Sequence, residues 1–358
     1  QLPYIDRVLM NISDGKLIPA KASAGEIDLQ ARNLFMSHFT FLKQSEKKEG
    51  FKTLLWDTSL GARIALYPNL HIADPGWRAV FRNRDFRHAL SLAIDREEIN
   101  EVIYFGLAQP SNNTVLPQSP LFRDEFQTKW ASFDLDRADA LLDGMGLDKR
   151  AKDGVRLLPD GRRLEIVVET AGEETEQTDV LELIHDSWLK AGIKIYTRPS
   201  QRDVFRNRIF AGETLMSMWS GVENAMPSTE ISPHEFAPTS QQQLQWPKWG
   251  QHFQSGGKVG EAPDLPAAKE LLDLYTSWRL AKSSEARGQI WRRILMLDAE
   301  QMFTIGILAG VPQPVVVDKN LRNVPEKGVY NWNPGAHFGV YMPDTFWFDK
   351  AERRQAQK

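Results

Sequence analysis

The sequence predicts an α/β protein built from more than one substructure, and three observations carry that prediction. Its 358 residues exceed what a single ordinary domain holds. An apolar share of 42% supports sizeable cores. Strand-like and helix-like apolar patterns alternate along most of the chain, the arrangement that layers helices on a sheet.

The elements follow in order. Residues 4–12 mix apolar and polar positions as a half-buried strand does, and 16–24 reads as a short helix closed by Gly25. Residues 26–29 predict a strand, 44–50 a charged surface turn, and 62–70 a buried strand interrupted by Pro68. The clearest helix starts at Asp85: Phe86, Ala89, Leu90, Ala93 and Ile94 recur at the spacing of one buried helical face. Asp95 then caps a second helix over 96–105, with Glu98 completing a capping box and Gly106 ending it.

A loop rich in Pro, Ser and Asn covers 110–120. Asp134 starts a helix through Ala138, Leu141 and Leu142, stopped by Gly144 and Gly146. Short strands at 155–158 and 164–168 turn about Gly161. An amphipathic helix over 178–191 ends at Gly192, a strand follows at 193–197, and another helix spans 201–210. From 216 to 260 regular patterning lapses into a stretch rich in Pro, Ser, Gln and Gly that carries Trp219, Trp246 and Trp249. A long irregular segment of this kind is more often functional than idle. Helices return at 265–282 and 284–303, residues 305–317 alternate between strand-like and Pro-broken character, and the aromatic tail 329–347 reads as loop. Neither an internal repeat nor a low-complexity tract interrupts this pattern.

Composition excludes several function classes. A formal charge of −3 with both signs interspersed leaves no basic track for nucleic acid and no basic amphipathic stretch for a membrane surface. The absence of cysteine removes disulfides, thiolate metal sites and thiol nucleophiles together. No run approaches the roughly 18–20 apolar residues of a spanning helix. Residues 1–14 carry neither a basic n-region nor an apolar h-region, so no signal peptide is expected among them.

Catalytic signatures are mostly missing. The seven histidines (38, 71, 88, 185, 234, 252 and 337) form no paired zinc motif at helical spacing. No nucleophile elbow, P-loop or dinucleotide glycine pattern occurs. Residues 255–260 (Ser-Gly-Gly-Lys-Val-Gly) lack the spacing and the following Ser/Thr of a phosphate loop and read as a surface turn. Carboxylate pairs for glycoside hydrolysis depend on a distance that sequence does not give, so an extracytoplasmic hydrolase stays open as an alternative. No cofactor and no metal are expected. Most of the eleven tryptophans are expected in cores and interfaces.

The run from Phe81 to Ile99, with Asp85, Arg87, Ala89, Leu90, Ala93, Ile94, Asp95 and Arg96 at fixed places, closely resembles the signature of the peptide-binding class of bacterial extracellular solute-binding proteins of ABC importers, family 5. Asn69 on the preceding strand, Gly106, and the loop prolines Pro110 and Pro117 match its flanking parts. Phe86 and His88 stand where the family often has Val and a basic residue. Residues 133–142, 186–195, 2–8 and 25–28 are similar to further family segments in the expected order.

The resemblance implies a periplasmic-binding-protein-like two-lobe fold, one lobe nearly complete and the other partial, because family members usually carry two hundred or more residues before the Leu2-Pro3-Tyr4 segment. The expected division is 1–71 as part of lobe I, 72–314 as the substrate-binding lobe, and 315–358 as the return to lobe I. The implied function is capture of peptides or peptide-like solutes by hinge closure, with an oligosaccharide as the alternative ligand. Implied partners are the small solute and the importer's membrane permease, for a periplasmic monomer that exerts no catalysis. In the family an acid that receives the peptide amine follows a tryptophan and precedes a proline. Glu223 keeps the spacing to Pro227 and stands one residue further from Trp219 than the family acid does. Trp219, Glu223, Asn224, Asn69, Trp246 and Trp249 are therefore the candidate ligand-binding residues. Asp85 and Arg87 read as caps and ion-pair formers around their helix.

Overall fold

The computed structural model describes residues 2–173 and 175–349. The chain divides into two compact units: a terminal unit, made of residues up to Ser59 together with those from Gly310 onward, and a central unit, Leu60–Ala309.

In the terminal unit the strand Gln313–Asp318 lies between Leu29–Gln30 and Phe51–Trp56, antiparallel to both, with Val316 opposite Thr53 and Val317 opposite Leu29. Trp56, Val315, Val317, Tyr330 and Phe346 form its core. Two expectations fail here. Residues 4–12 form no strand and stay largely exposed, with Ile12 at 99%. Residues 44–49 are no turn but the end of a helix, Phe39–Glu49, which stops at Gly50 in the left-handed conformation. That helix buries little beyond Leu42, so its charged outer face hid the periodicity.

The central unit is built on a five-stranded sheet in the order Lys194–Pro199, Glu165–Thr170, Met216–Trp219, Ala65–Pro68, Ile305–Gly306. The first three strands run parallel and Ala65–Pro68 is antiparallel to its neighbours. Ala65–Pro68, which the sequence reading placed in the first segment, thus belongs to the interior of the second unit's sheet.

Capping fixes the helices around this sheet. Asn83 accepts from the Asp85 N–H at the start of Arg84–Leu92, Asp95 from Glu98 at the start of Arg96–Tyr104, and Asp134 from Arg137 at the start of Leu135–Gly144. Phe86, Ala89, Leu90, Ala93 and Ile94 are all fully buried, as their spacing predicts. The helices Glu176–Lys190, Arg202–Ala211, Pro266–Leu280 and Ser284–Gln301 also fall where the periodicity puts them.

The signature arginines are internal stitches. Arg87 donates to the carbonyls of Phe81, Gln301 and Met302, so its charge sits on the C-terminal end of Ser284–Gln301. Arg96 donates to the carbonyls of Ser91, Ala131 and Gly306 and to the Ser91 hydroxyl. Neither is an ion-pair former: carbonyl oxygens stand where a carboxylate was expected for Arg87.

Inside the stretch that looked irregular lies a further helix, Pro247–Gln254. It packs so closely that a Cβ on Gly250 would meet the Ser240 carbonyl oxygen at 2.0 Å. The absence of a side chain on Gly250 permits that close approach.

Candidate functional site: the carboxyl edge of the central sheet

Three parallel strands deliver their C-terminal ends to one edge of the central sheet, the place where open α/β sheets present ligand-binding loops. The loop after Glu165–Thr170 carries Glu173 and leads to Glu176, the segment after Lys194–Pro199 carries Arg202, and Met216–Trp219 ends on Trp219 and runs into Glu223. Ala65 lies opposite Trp219, which brings Arg63 to the same edge.

Planar charge pairs line this edge. Arg63 grips the Glu176 carboxylate through Nε at 3.2 Å and through a second bond from Nη2. Arg202 Nε donates to Glu173 at 2.7 Å, and its guanidinium carbon lies 5.1 Å from the centre of the Trp219 ring. Trp219 also stacks on Phe205, with centroids 6.0 Å apart and planes at 27°. Phe205 is 1% exposed and Trp219 only half-buried, so the indole joins the core to the surface.

The backbone beyond Trp219 is tied down residue by residue. Tyr67 Oη donates to the Ser220 carbonyl at 2.5 Å, and Gly221 N–H to Ala62 at 2.9 Å. Val222 N–H reaches Asn113 Oδ1 at 2.7 Å, while Glu223 and Asn224 both donate to the Glu235 carboxylate, at 2.8 and 3.2 Å. Asn224 Oδ1 takes the Met226 N–H at 3.3 Å. Burial, reinforced by the nearby Glu235 carboxylate, holds the half-buried Glu223 carboxyl above its ordinary range. The same two causes raise the Tyr67 phenol.

The six candidates from sequence therefore separate. Trp219, Glu223 and Asn224 come together at this edge, although Asn224 is buried and its carbonyl holds its own loop. Asn69 is fully buried: its amide donates to the Thr214 carbonyl and its oxygen accepts from the His71 N–H, so both ends of the side chain are engaged inside the unit. Trp246 and Trp249, 1% and 0% exposed, pack on one another, on Phe303 and on His71. They are core side chains, and the ligand-binding role expected of them has no surface to act through.

Sequence reading missed Arg63, Glu173, Glu176, Arg202 and Glu235. The first four sit near strand ends and helix starts, a position that could have marked them as candidates. Glu235 lies within a stretch without periodicity and left no such signal. Among the described residues no cluster of His, Asp or Glu is arranged to hold a metal ion, and no helix is long and apolar enough to cross a membrane.

The α/β architecture of the central unit is that of periplasmic binding proteins. The chain belongs to the bacterial extracellular solute-binding proteins, family 5: the model of that family's middle region matches residues 1–243.

Relatives agree. A periplasmic alpha-galactoside-binding protein of Rhizobium meliloti (strain 1021) is 22% identical over 354 residues, covering 93% of this chain and 49% of its own length. The solved structure of an oligopeptide-binding protein, OppA, is 30% identical with a TM-score of 0.72, over 98% of this chain and 57% of that one. The periplasmic binding protein MelB of Agrobacterium fabrum C58, solved in complex with stachyose, is 18% identical with a TM-score of 0.79, over 100% of this chain and 54% of that one. The chain thus spans about half the length of the relatives it matches.

Proposed function

We propose that this chain is part of the solute-binding component of an ABC importer, working in the periplasm as a monomer and handing a peptide or peptide-like solute to the membrane permease. Family membership and the OppA likeness support this reading, and Trp219 with Glu223 at the sheet's carboxyl edge is the observation that carries it into this molecule. Glu223 receives the cationic group of the solute. No catalytic step is involved; turnover of a peptide or glycoside that Glu223→Gln abolishes would overturn that part.

A specific observation favours a second reading, an oligosaccharide. A peptide bound as an added strand needs main-chain donors from the protein. The N–H groups of residues 221–224 and of Met226 are already donated to protein acceptors. What this loop and its neighbours offer is an indole face and planar, bidentate charged groups. The alpha-galactoside-binding relative and the stachyose complex of MelB point the same way.

Calorimetry on the whole gene product, titrated with a panel of short peptides and with stachyose, separates the two. Saturable peptide binding that weakens by about 1–3 kcal/mol in Glu223→Gln supports the first reading. Stachyose binding with no response to any peptide replaces it with the second.

A further inference from the structure

Arg202 and Phe205 lie one helical turn apart on Arg202–Ala211, so both reach the same neighbour, Trp219. Phe205 is its buried contact. Arg202, whose side chain is 46% exposed, is its outward one. The guanidinium is not loose there: Glu173, from the loop after the neighbouring strand, holds it in a bidentate pair.

We propose that Arg202, tethered by Glu173, is a displaceable cover on the stacking face of Trp219, and that the group stacking there is a sugar ring. Resting on the solute-binding reading above, this names the ligand class and the residue that gates it. A pyranose and a guanidinium compete for an indole for the same reason. Both set positively polarised hydrogens against the electron-rich face. A sugar that takes the face therefore has to move Arg202 off it, and the Arg202–Glu173 pair tunes how readily it stacks. The exposure of that pair keeps its hold weak enough to yield to a ligand.

The test has two arms on the whole gene product. In the first, acrylamide quenching of Trp219 fluorescence is obtained as the difference from a Trp219→Phe variant. Arg202→Ala should raise that component about two- to fivefold, the factor expected for an exposed cation–π contact. Glu173→Gln should move it the same way by less. An unchanged component in Arg202→Ala overturns the cover. In the second arm stachyose is titrated by calorimetry. Tighter binding in Arg202→Ala than in the unaltered protein supports displacement by a sugar. Weaker binding makes Arg202 a ligand contact and overturns it. If stachyose fails to bind the unaltered protein while a short peptide binds, the sugar assignment falls, and the quenching arm alone still decides the cover. If nothing binds, the solute-binding reading fails separately.

Discussion

Two regions of the central unit carry clusters of polar side chains and use them in opposite ways. Around the signature helices, Arg87, Arg96, Asn83 and Asp95 turn inward or cap, and their donors and acceptors go to backbone groups of the same unit. At the carboxyl edge, Arg63 pairs with the buried Glu176 and Arg202 with the exposed Glu173, side chain to side chain, and Trp219 and Glu223 are half-buried. The residues that make the family recognisable are thus the ones that build the lobe, while the candidate site proposed above lies outside the signature.

The comparison breaks first at Arg96. Arg96→Ala should destabilise the central unit by about 3 kcal/mol or more, because it strips donors from three carbonyls in a dry core. Urea denaturation checks this, and a loss below about 1 kcal/mol would mean that those carbonyls find other partners.

Next comes pH. Burial holds His71 at about 3 and His88 at about 4, below the ordinary 6.5. His88 also stacks on Trp130 at 3.9 Å and bonds the Glu300 carbonyl at 2.7 Å. As pH falls through 6.5 the unfolded chain takes up protons that the folded one refuses. Stability is therefore complete above 6.5 and declines toward pH 4, by up to about 1.4 kcal/mol per pH unit for each histidine. Denaturation at pH 7 and pH 5 should show His88→Phe with a shallower decline than the unaltered protein. An equal slope would remove His88 from this account.

The smallest effect belongs to the edge. Arg202→Ala should change stability by no more than about 0.5 kcal/mol, since the pair it breaks is exposed. A loss as large as that of Arg96→Ala would erase the distinction between the two regions.

Much of this was legible in sequence wherever apolar spacing and caps agree. The helices after Asn83, Asp95 and Asp134 and the strands Ala65–Pro68, Glu165–Thr170 and Lys194–Pro199 follow from local pattern, because burial of one face and satisfaction of terminal N–H groups are local demands; Met216–Trp219 fell in the stretch read as irregular. The site was legible only in part. Glu223 was picked for its spacing to Pro227 and Trp219 as the tryptophan before it, and the fold places both at the sheet's carboxyl edge. Trp246 and Trp249 were misplaced, because a tryptophan in a Pro- and Gly-rich stretch looks exposed until the helix Pro247–Gln254 folds over it. Asn69 was taken for a ligand residue because a polar side chain near a strand end reads the same whether it meets solute or backbone. Charge pairs such as Arg63 with Glu176, or Arg202 with Glu173, join residues 113 and 29 positions apart. Pairings at that distance are set by topology, and no local pattern encodes them.

The contrast between Trp219 and Trp249 tests the central claim most directly, with solute affinity and stability measured on both alanine variants of the whole gene product. Trp219→Ala should lose binding by about tenfold, near 1.4 kcal/mol, with a smaller loss of stability than Trp249→Ala because its indole is only half-buried. Trp249→Ala should lose about 3–5 kcal/mol of stability while the folded fraction binds normally. Undiminished binding in Trp219→Ala, or binding lost from folded Trp249→Ala, would contradict a site at the carboxyl edge of the central sheet.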